Sequence, residues 1–354
     1  MGTERTCWEG GAAAKIFWCG YYAAGLIGSL LVHGLLQERI MQRPYNGEVF
    51  SHSVFFIMGV VRIGGFLFAL LMCLVKGESL ANGADMWNHV CVSFSSIAEG
   101  ACTLDSLRFI SFGMVQLGKS FKMIPVMIWA FAISGKRYPL SDWVVAALVS
   151  GGITDFMCTG PRSASSGASS SIVGFVLLLC AIALDGLTVS MSEWMFVKRK
   201  TTTFNQMMWT HGVSCFMALA PLAMTDQLVP ALRFTCSHKD FLWDILGLSA
   251  CWVASQYFVF SMTKDFGALV LAACTNVRQV LTILLSYVAY HHVITVSQAA
   301  ALSAVFGALF YRTAASLAAT RDAERTLMQG RDSPEGPLPE DLAGQYGAAG
   351  TSKS

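Results

Sequence analysis

Ten apolar runs, each about as long as a helix needs to cross a bilayer, constrain this chain more than any single motif does. A helix rises about 1.5 Å per residue, so a hydrocarbon core of ~30 Å takes about 20 largely apolar residues. Runs of that kind lie at 16–36, 50–75, 86–107, 112–134, 141–160, 172–195, 204–225, 241–262, 266–290 and 295–318. Inside a bilayer no water meets the backbone amides, so each run must close its own hydrogen bonds as a helix. The expected fold class is an all-α polytopic membrane protein with ten transmembrane helices. The chain is 54% hydrophobic and 13% charged, about half the charged share of an average soluble domain.

Two lysines interrupt the fourth run, "LGKSFKMIPVMIWAF". Lys119 and Lys122 are three apart and share a helical face, and Arg278 stands mid-way along the ninth run. Each cation at a bilayer centre costs about 2.5–3.5 kcal/mol on the insertion scale, so three cost on the order of 8–10 kcal/mol by addition. Two readings account for their retention. One is pairing with acids inside the membrane, for which Glu99, Asp105, Asp185, Glu193 and Asp244 are the candidates. The other is convergence on a cavity that receives a polyanion, where Arg278 would clasp a phosphate through two parallel hydrogen bonds and the lysines would act as mobile point charges. Gly118 and Pro125 would help the helix bend around such a cavity.

The polar stretch "GPRSASSGASSS" divides the runs five and five. That division gives an amino-terminal segment 1–15, a first repeat 16–160, a linker 161–171, a second repeat 172–318 and a tail 319–354 too poor in apolar residues to pack. An odd number of spans per half makes the halves inverted in the membrane. The fourth span of each half opens Phe-Gly, at Phe112-Gly113 and Phe266-Gly267, and each carries positive charge in its middle. With both termini cytosolic, the inside loops collect Lys76, Lys136, Arg137, Lys198, Arg199, Lys200 and Lys264, with Arg321 and Arg325 after the last span. The opposite loops hold Arg39, Arg43, Arg108, Arg162, Arg233 and Lys239, a moderate bias toward that orientation.

Other positions are less specific. Arg62 in span two either pairs with an acid or lines the same cavity. Tyr21 and Tyr22 suit stacking on a base and equally suit interfacial anchoring, and Gln256 is the cavity candidate of span eight. Gly20, Gly25 and Gly28 in span one have spacing for close helix packing. His291 and His292 are read as loop histidines.

The eleven cysteines form no CxxC or Cys/His ligand pattern, so neither a disulfide framework nor a metal site is expected. No cofactor is expected either. GxSxG, HExxH and dinucleotide fingerprints are absent, which argues against an enzyme. A net charge of +2 is too small for a nucleic-acid partner.

"LGKSFKMIPVM" resembles the corresponding helix of the nucleotide-sugar transporters, within the drug/metabolite transporter superfamily. "GLLQERIM" after span one, "GKRYP" after span four, "LDGLT" in span six and "FGALVLAACTNVRQVLTILLSYVAYHHVITV" in span nine extend the likeness over nearly the whole membrane region. "VRQVLTILLS", with Gln279 after Arg278, is most similar to the branch carrying 3′-phosphoadenosine 5′-phosphosulfate. The resemblance implies a ten-helix inverted-repeat antiporter of the Golgi membrane, with the endoplasmic reticulum as the other location. It would bring the activated sulfate donor from cytosol to lumen against an adenosine phosphate. A nucleotide-sugar carrier of the UDP-galactose kind, or an ATP/ADP exchanger, is the alternative. Lys119, Lys122, Arg278 and Gln279 are carried over as substrate contacts, with Gln37 and Glu38 of "GLLQERIM". The expected partners are a polyanionic nucleotide, adenine favoured, and the bilayer; a homodimer is left open. Asn276 and Val277 depart from the threonine or leucine found at that step in relatives, which leaves substrate preference open.

Overall fold

The computed structural model describes residues 11–42, 54–106, 118–159 and 172–289, with positions 44, 45, 47, 48, 50, 109, 110 and 115 between them and 300, 303–305, 307, 308 and 311 beyond. The linker 161–171, the tail 319–354, His291, His292 and most of the tenth expected span lie outside the described residues.

The described helices are α1 (Gly11–Gln42), α2 (Val54–Lys76), α3 (Met86–Ser106), α4 (Met123–Ser134), α5 (Leu140–Thr159), α6 (Ile172–Arg199), α7 (Thr203–Met224), α8 (Leu228–Ser237), α9 (Lys239–Phe266) and α10 (Ala268–Ala289). Among the described residues there is no strand, only an isolated bridge between Tyr45 and Glu48. The chain is an all-α membrane protein. Among the described residues five helical segments are long and apolar enough to cross a membrane: Ala14–Gln37, Phe55–Lys76, Ile172–Arg199, Thr203–Met224 and Lys239–Phe266. Ser120–Ser134, Leu140–Gly152 and Ala268–Arg278 are shorter apolar helices.

α3 falls outside both groups because its polar side chains point into the protein. Asn88, His89, Ser93 and Ser95 are buried, whereas Trp87 and Phe94 are exposed. The connection between spans seven and eight contains a helix that the hydropathy pattern hides. α8 is short, buries Ala231, Phe234 and Thr235 on one side, and carries Pro230 in its first turn, where a missing N–H costs nothing.

α1 packs on α9, α2 on α7 and α3 on α6, while α3 also meets α7 and α2 meets α9. Close approaches occur where a glycine removes the side chain. A Cβ on Gly25 would stand 2.2 Å from the Phe258 ring, so this glycine does serve packing of α1 on α9. Gly20 and Gly28 face open space, and the packing expected of them is not made. α6 crosses α4 at Gly186, where a Cβ would lie 2.8 Å from Cβ of Pro125 and 3.1 Å from the Val126 nitrogen. The largest apolar cluster joins α1, α4, α5, α9 and α10 through Leu26, Met123, Met127, Val149, Met262 and Ala272. A second, around Tyr45, Phe50, Phe234 and Phe241, fastens α8 to the ends of α1, α2 and α9.

Candidate functional site

The fourth span is not a uniform helix. Ser120–Lys122 forms a 3₁₀ turn that leads into α4. Pro125 supplies the reason, since its ring excludes a regular helical bond to the carbonyl four residues earlier, that of Phe121. The altered turn carries both lysines. The Ser120 carbonyl accepts from two neighbouring helices: Ser150 Oγ of α5 at 3.2 Å and Asn276 Nδ2 of α10 at 3.2 Å. Asn276 is 1% exposed, so its amide serves as a tether. It brings α10, and Arg278 one half-turn further on, against the lysine segment.

Both lysines meet carboxylates. Lys119 Nζ lies 3.2 Å from Glu99 Oε1 of α3, which also accepts from Thr103 Oγ1 at 3.0 Å. Lys122 Nζ lies 2.8 Å from one Asp185 oxygen and 3.1 Å from the other, on α6. The Lys119 side chain keeps 34% of its surface exposed and that of Asp185 27%, so each pair borders open space. A fully buried pair would be costly to separate, whereas a bordered one exchanges partners more cheaply.

Arg62 of α2 is buried by contrast. Its Nη2 donates to Ser96 Oγ at 2.7 Å, its Nη1 reaches His211 Nδ1 at 3.4 Å, and the guanidinium lies 4.7 Å from the centre of the Trp252 ring. Arginine has no acceptor, so His211 receives this bond on Nδ1. Charge-assisted hydrogen bonds at about 1.5–3 kcal/mol and a desolvated cation–π contact of about 2 kcal/mol offset the ~2.5–3.5 kcal/mol insertion cost. Arg62, Ser96, Ser192, Thr210, His211 and Gln256 contribute to one cavity of about 50 Å³.

The other expected residues are placed as follows. Tyr22 is 5% exposed, and its hydroxyl donates to Asp265 Oδ2 at 3.2 Å while its ring sits among Trp18, Phe258 and Phe266. Gln256 joins the Arg62 cavity. Gln37 is half-buried on α1. Glu38 and Gln279 lie in α1 and α10, with side chains outside the described residues. Among the described residues no group of three or more His, Cys, Asp or Glu is placed to hold a metal. The neutral lining hydroxyls and His211 escaped the sequence reading because each resembles an ordinary packed polar residue.

Two ends of the assembly are tied. At one, Lys136 Nζ lies 2.9 Å from Glu193 Oε1, Arg199 pairs with Asp85, and Thr202 donates to Glu78. Burial pulls Lys136 down, but Glu193 and Tyr138 outweigh it and hold the ammonium above the ordinary lysine value. At the other end, Asp244 of α9 accepts from Arg39 Nε at 2.9 Å and from the Tyr45 hydroxyl at 2.8 Å.

The sequence matches the profile of the UAA transporter family over residues 20–316. The chain belongs to the UAA transporter family. It is 33% identical to "Adenosine 3'-phospho 5'-phosphosulfate transporter 1" of Dictyostelium discoideum, over 82% of this chain and 81% of that one. It is 31% identical to "UDP-galactose/UDP-glucose transporter 5B" of Arabidopsis thaliana, over 85% of this chain and 90% of that one. The Homo sapiens protein of the same name as the first is 32% identical, over 85% of this chain and 69% of its own. A solved crystal structure matches with a TM-score of 0.58 over 81% of this chain and 96% of its own, at 12% identity, a likeness of fold alone. This UAA-family protein is thus a transporter and not an enzyme.

Proposed function

We propose that this transporter exchanges nucleotide conjugates, carrying 3′-phosphoadenosine 5′-phosphosulfate from cytosol to Golgi lumen against an adenosine phosphate. One observation carries the reading: Lys119 and Lys122 rest on Glu99 and Asp185 at 3.2 and 2.8 Å in pairs that keep exposed surface. The carboxylates stand in for substrate anions. A phosphorylated ligand displaces them, and when it leaves the pairs re-form. The two lysines of the empty carrier are then neutralised internally. Exchange follows when the carrier turns round more slowly with its ion pairs re-formed than with a bound anion.

The pairing of helices supports a ten-helix inverted repeat of 16–160 and 172–318. Under such symmetry span one corresponds to six, two to seven and three to eight, so the α1–α9 contact is the counterpart of α6–α3. The α2–α9 contact likewise corresponds to α7–α3. The Arg39–Asp244 pair at one end matches the Arg199–Asp85 pair at the other. Two equivalent latches at opposite faces suit alternating access around a central site. Both termini are assigned to the cytosol on the loop-charge bias.

The reading is tested by counterflow in proteoliposomes loaded with adenine or uracil nucleotides. Adenosine 3′,5′-bisphosphate should drive uptake of the sulfate donor, and Lys122→Ala and Arg278→Ala should each abolish it in protein that is still monodisperse. Uptake driven equally by UDP-galactose would favour the second reading, a nucleotide-sugar carrier. The Arabidopsis relative, whose name gives UDP-galactose and UDP-glucose, supports that reading.

A further inference from the structure

Arg62 and His211 hold equivalent places, each the ninth residue of its helix counted from Val54 of α2 and Thr203 of α7. α2 and α7 pack on each other, and the two side chains meet at 3.4 Å. The cavity they line measures about 50 Å³. At ~10–15 Å³ per water that is room for about four waters, the scale of one tetrahedral oxyanion and far too little for a nucleoside.

The wall is largely apolar, with one polar arc. Ser96, Ser192 and Thr210 bring hydroxyls, Gln256 an amide and Arg62 a permanent cation, and no carboxylate lines the cavity. Among the described residues no carboxylate lies within 4.0 Å of the Arg62 guanidinium, although Glu99 acts on it from further off. His211 is fully buried, and its Nε2 has no hydrogen-bond partner. With Nδ1 accepting from Arg62, the neutral ring carries its proton on that unsatisfied Nε2. The two lysines are each seated on an acid, whereas Arg62 rests on neutral partners and His211 Nε2 has no hydrogen-bond partner.

The chamber adjoins the lysine site. Ser96 is three residues from Glu99 on α3, and Thr188, which also lines the cavity, is three from Asp185 on α6. Three residues of helix advance ~4.5 Å, the scale of a ribose ring substituted at both edges. We propose that the Arg62 chamber is a second anion subsite, which takes one isolated phosphate monoester of a substrate whose other anionic group engages Lys119 and Lys122. This rests on the nucleotide reading above and deepens it: the carrier would select ligands bearing two separated anionic groups over those bearing one.

The test compares adenosine 3′,5′-bisphosphate with adenosine 5′-monophosphate, by thermal stabilisation of purified protein and by competition in counterflow. The natural sequence should prefer the bisphosphate by about tenfold or more. Arg62→Gln should weaken the bisphosphate about tenfold and the monophosphate by less than twofold, which removes the preference. Ser96→Ala, which keeps the charge but frees the guanidinium, should give a smaller loss, again confined to the bisphosphate, and it serves if Arg62→Gln does not fold. Equal losses on both ligands, or no loss on either, would overturn the subsite. Inorganic phosphate is the third probe. Stabilisation by it that vanishes in Arg62→Gln would mean a site for a free anion and would also overturn the assignment. If the natural sequence binds neither nucleotide, the nucleotide reading itself fails; if it binds both and Arg62→Gln keeps the preference, only the subsite fails.

Discussion

Asp185 sits 2.8 Å from Lys122 with about a quarter of its side chain exposed, so its removal separates stability from transport. A surface pair contributes ~0–1 kcal/mol, and breaking a fully buried one costs about 3–5 kcal/mol. Asp185→Asn should therefore cost on the order of 1–3 kcal/mol by interpolation between those limits. Saturating nucleotide should recover most of the loss in a thermal unfolding assay, because the ligand replaces the missing charge. A deficit that ligand leaves untouched would make the aspartate a purely structural brace. The lysines themselves were legible in the sequence, since two cations in an apolar run are too costly to be incidental. Their partners were legible only as a short set of candidates. Of the acids named there, Glu99 and Asp185 meet the lysines, while Glu193 and Asp244 pair instead with Lys136 and Arg39 near the helix ends. Which lysine meets which acid depends on helix rotation, and the apolar pattern does not encode rotation when lipid and protein interior are both apolar.

Among the elements, the crossing of α6 over α4 is set by one hydrogen atom. With a Cβ on Gly186 only 2.8–3.1 Å from Pro125 and Val126, Gly186→Ala must push the helices apart. Overpacking of that kind costs about 1–3 kcal/mol. The unfolding temperature in detergent should fall accordingly, and Gly151→Ala, where a Cβ meets nothing within 4 Å, should be neutral. If both behave alike, the close crossing is not a determinant of stability. Run length and hydropathy made most spans readable, because a bilayer demands both. They missed α8, whose ten residues are too few to cross, and they did not distinguish α3, whose polar face is satisfied by helices distant in sequence. The 3₁₀ turn could be inferred only as a bend at Pro125; its carbonyl contacts come from α5 and α10.

For the whole molecule, the two Arg–Asp pairs make opposite predictions. Arg199→Ala should raise labelling of a Thr188→Cys reporter from the Arg199 face, and Arg39→Ala from the other. The Arg199 change should be about two- to fivefold, as expected for an exposed pair worth up to ~1 kcal/mol, and the Arg39 change at least as large, because Asp244 is buried. Increases on the same face in both variants would remove the latches from the transport cycle. The Lys136–Glu193 tie has its own signature. A lysine held above its ordinary 10.5 contributes stability that is complete below that value and is lost as pH rises through the folded value. The difference in unfolding temperature between the natural sequence and Glu193→Gln should therefore stay constant from about pH 6 to pH 9; a change within that window would mean that another group governs the tie.

A single oxygen, the carbonyl of Ser120, is shared by the arms of Ser150 and Asn276. Such a shared rivet lets torque on α10 reach the cargo-gripping turn without passing through the cargo. The grip and the swing of the machine are then geared together, and a loosened rivet would leave a protein that still clasps its freight yet slips when it should turn.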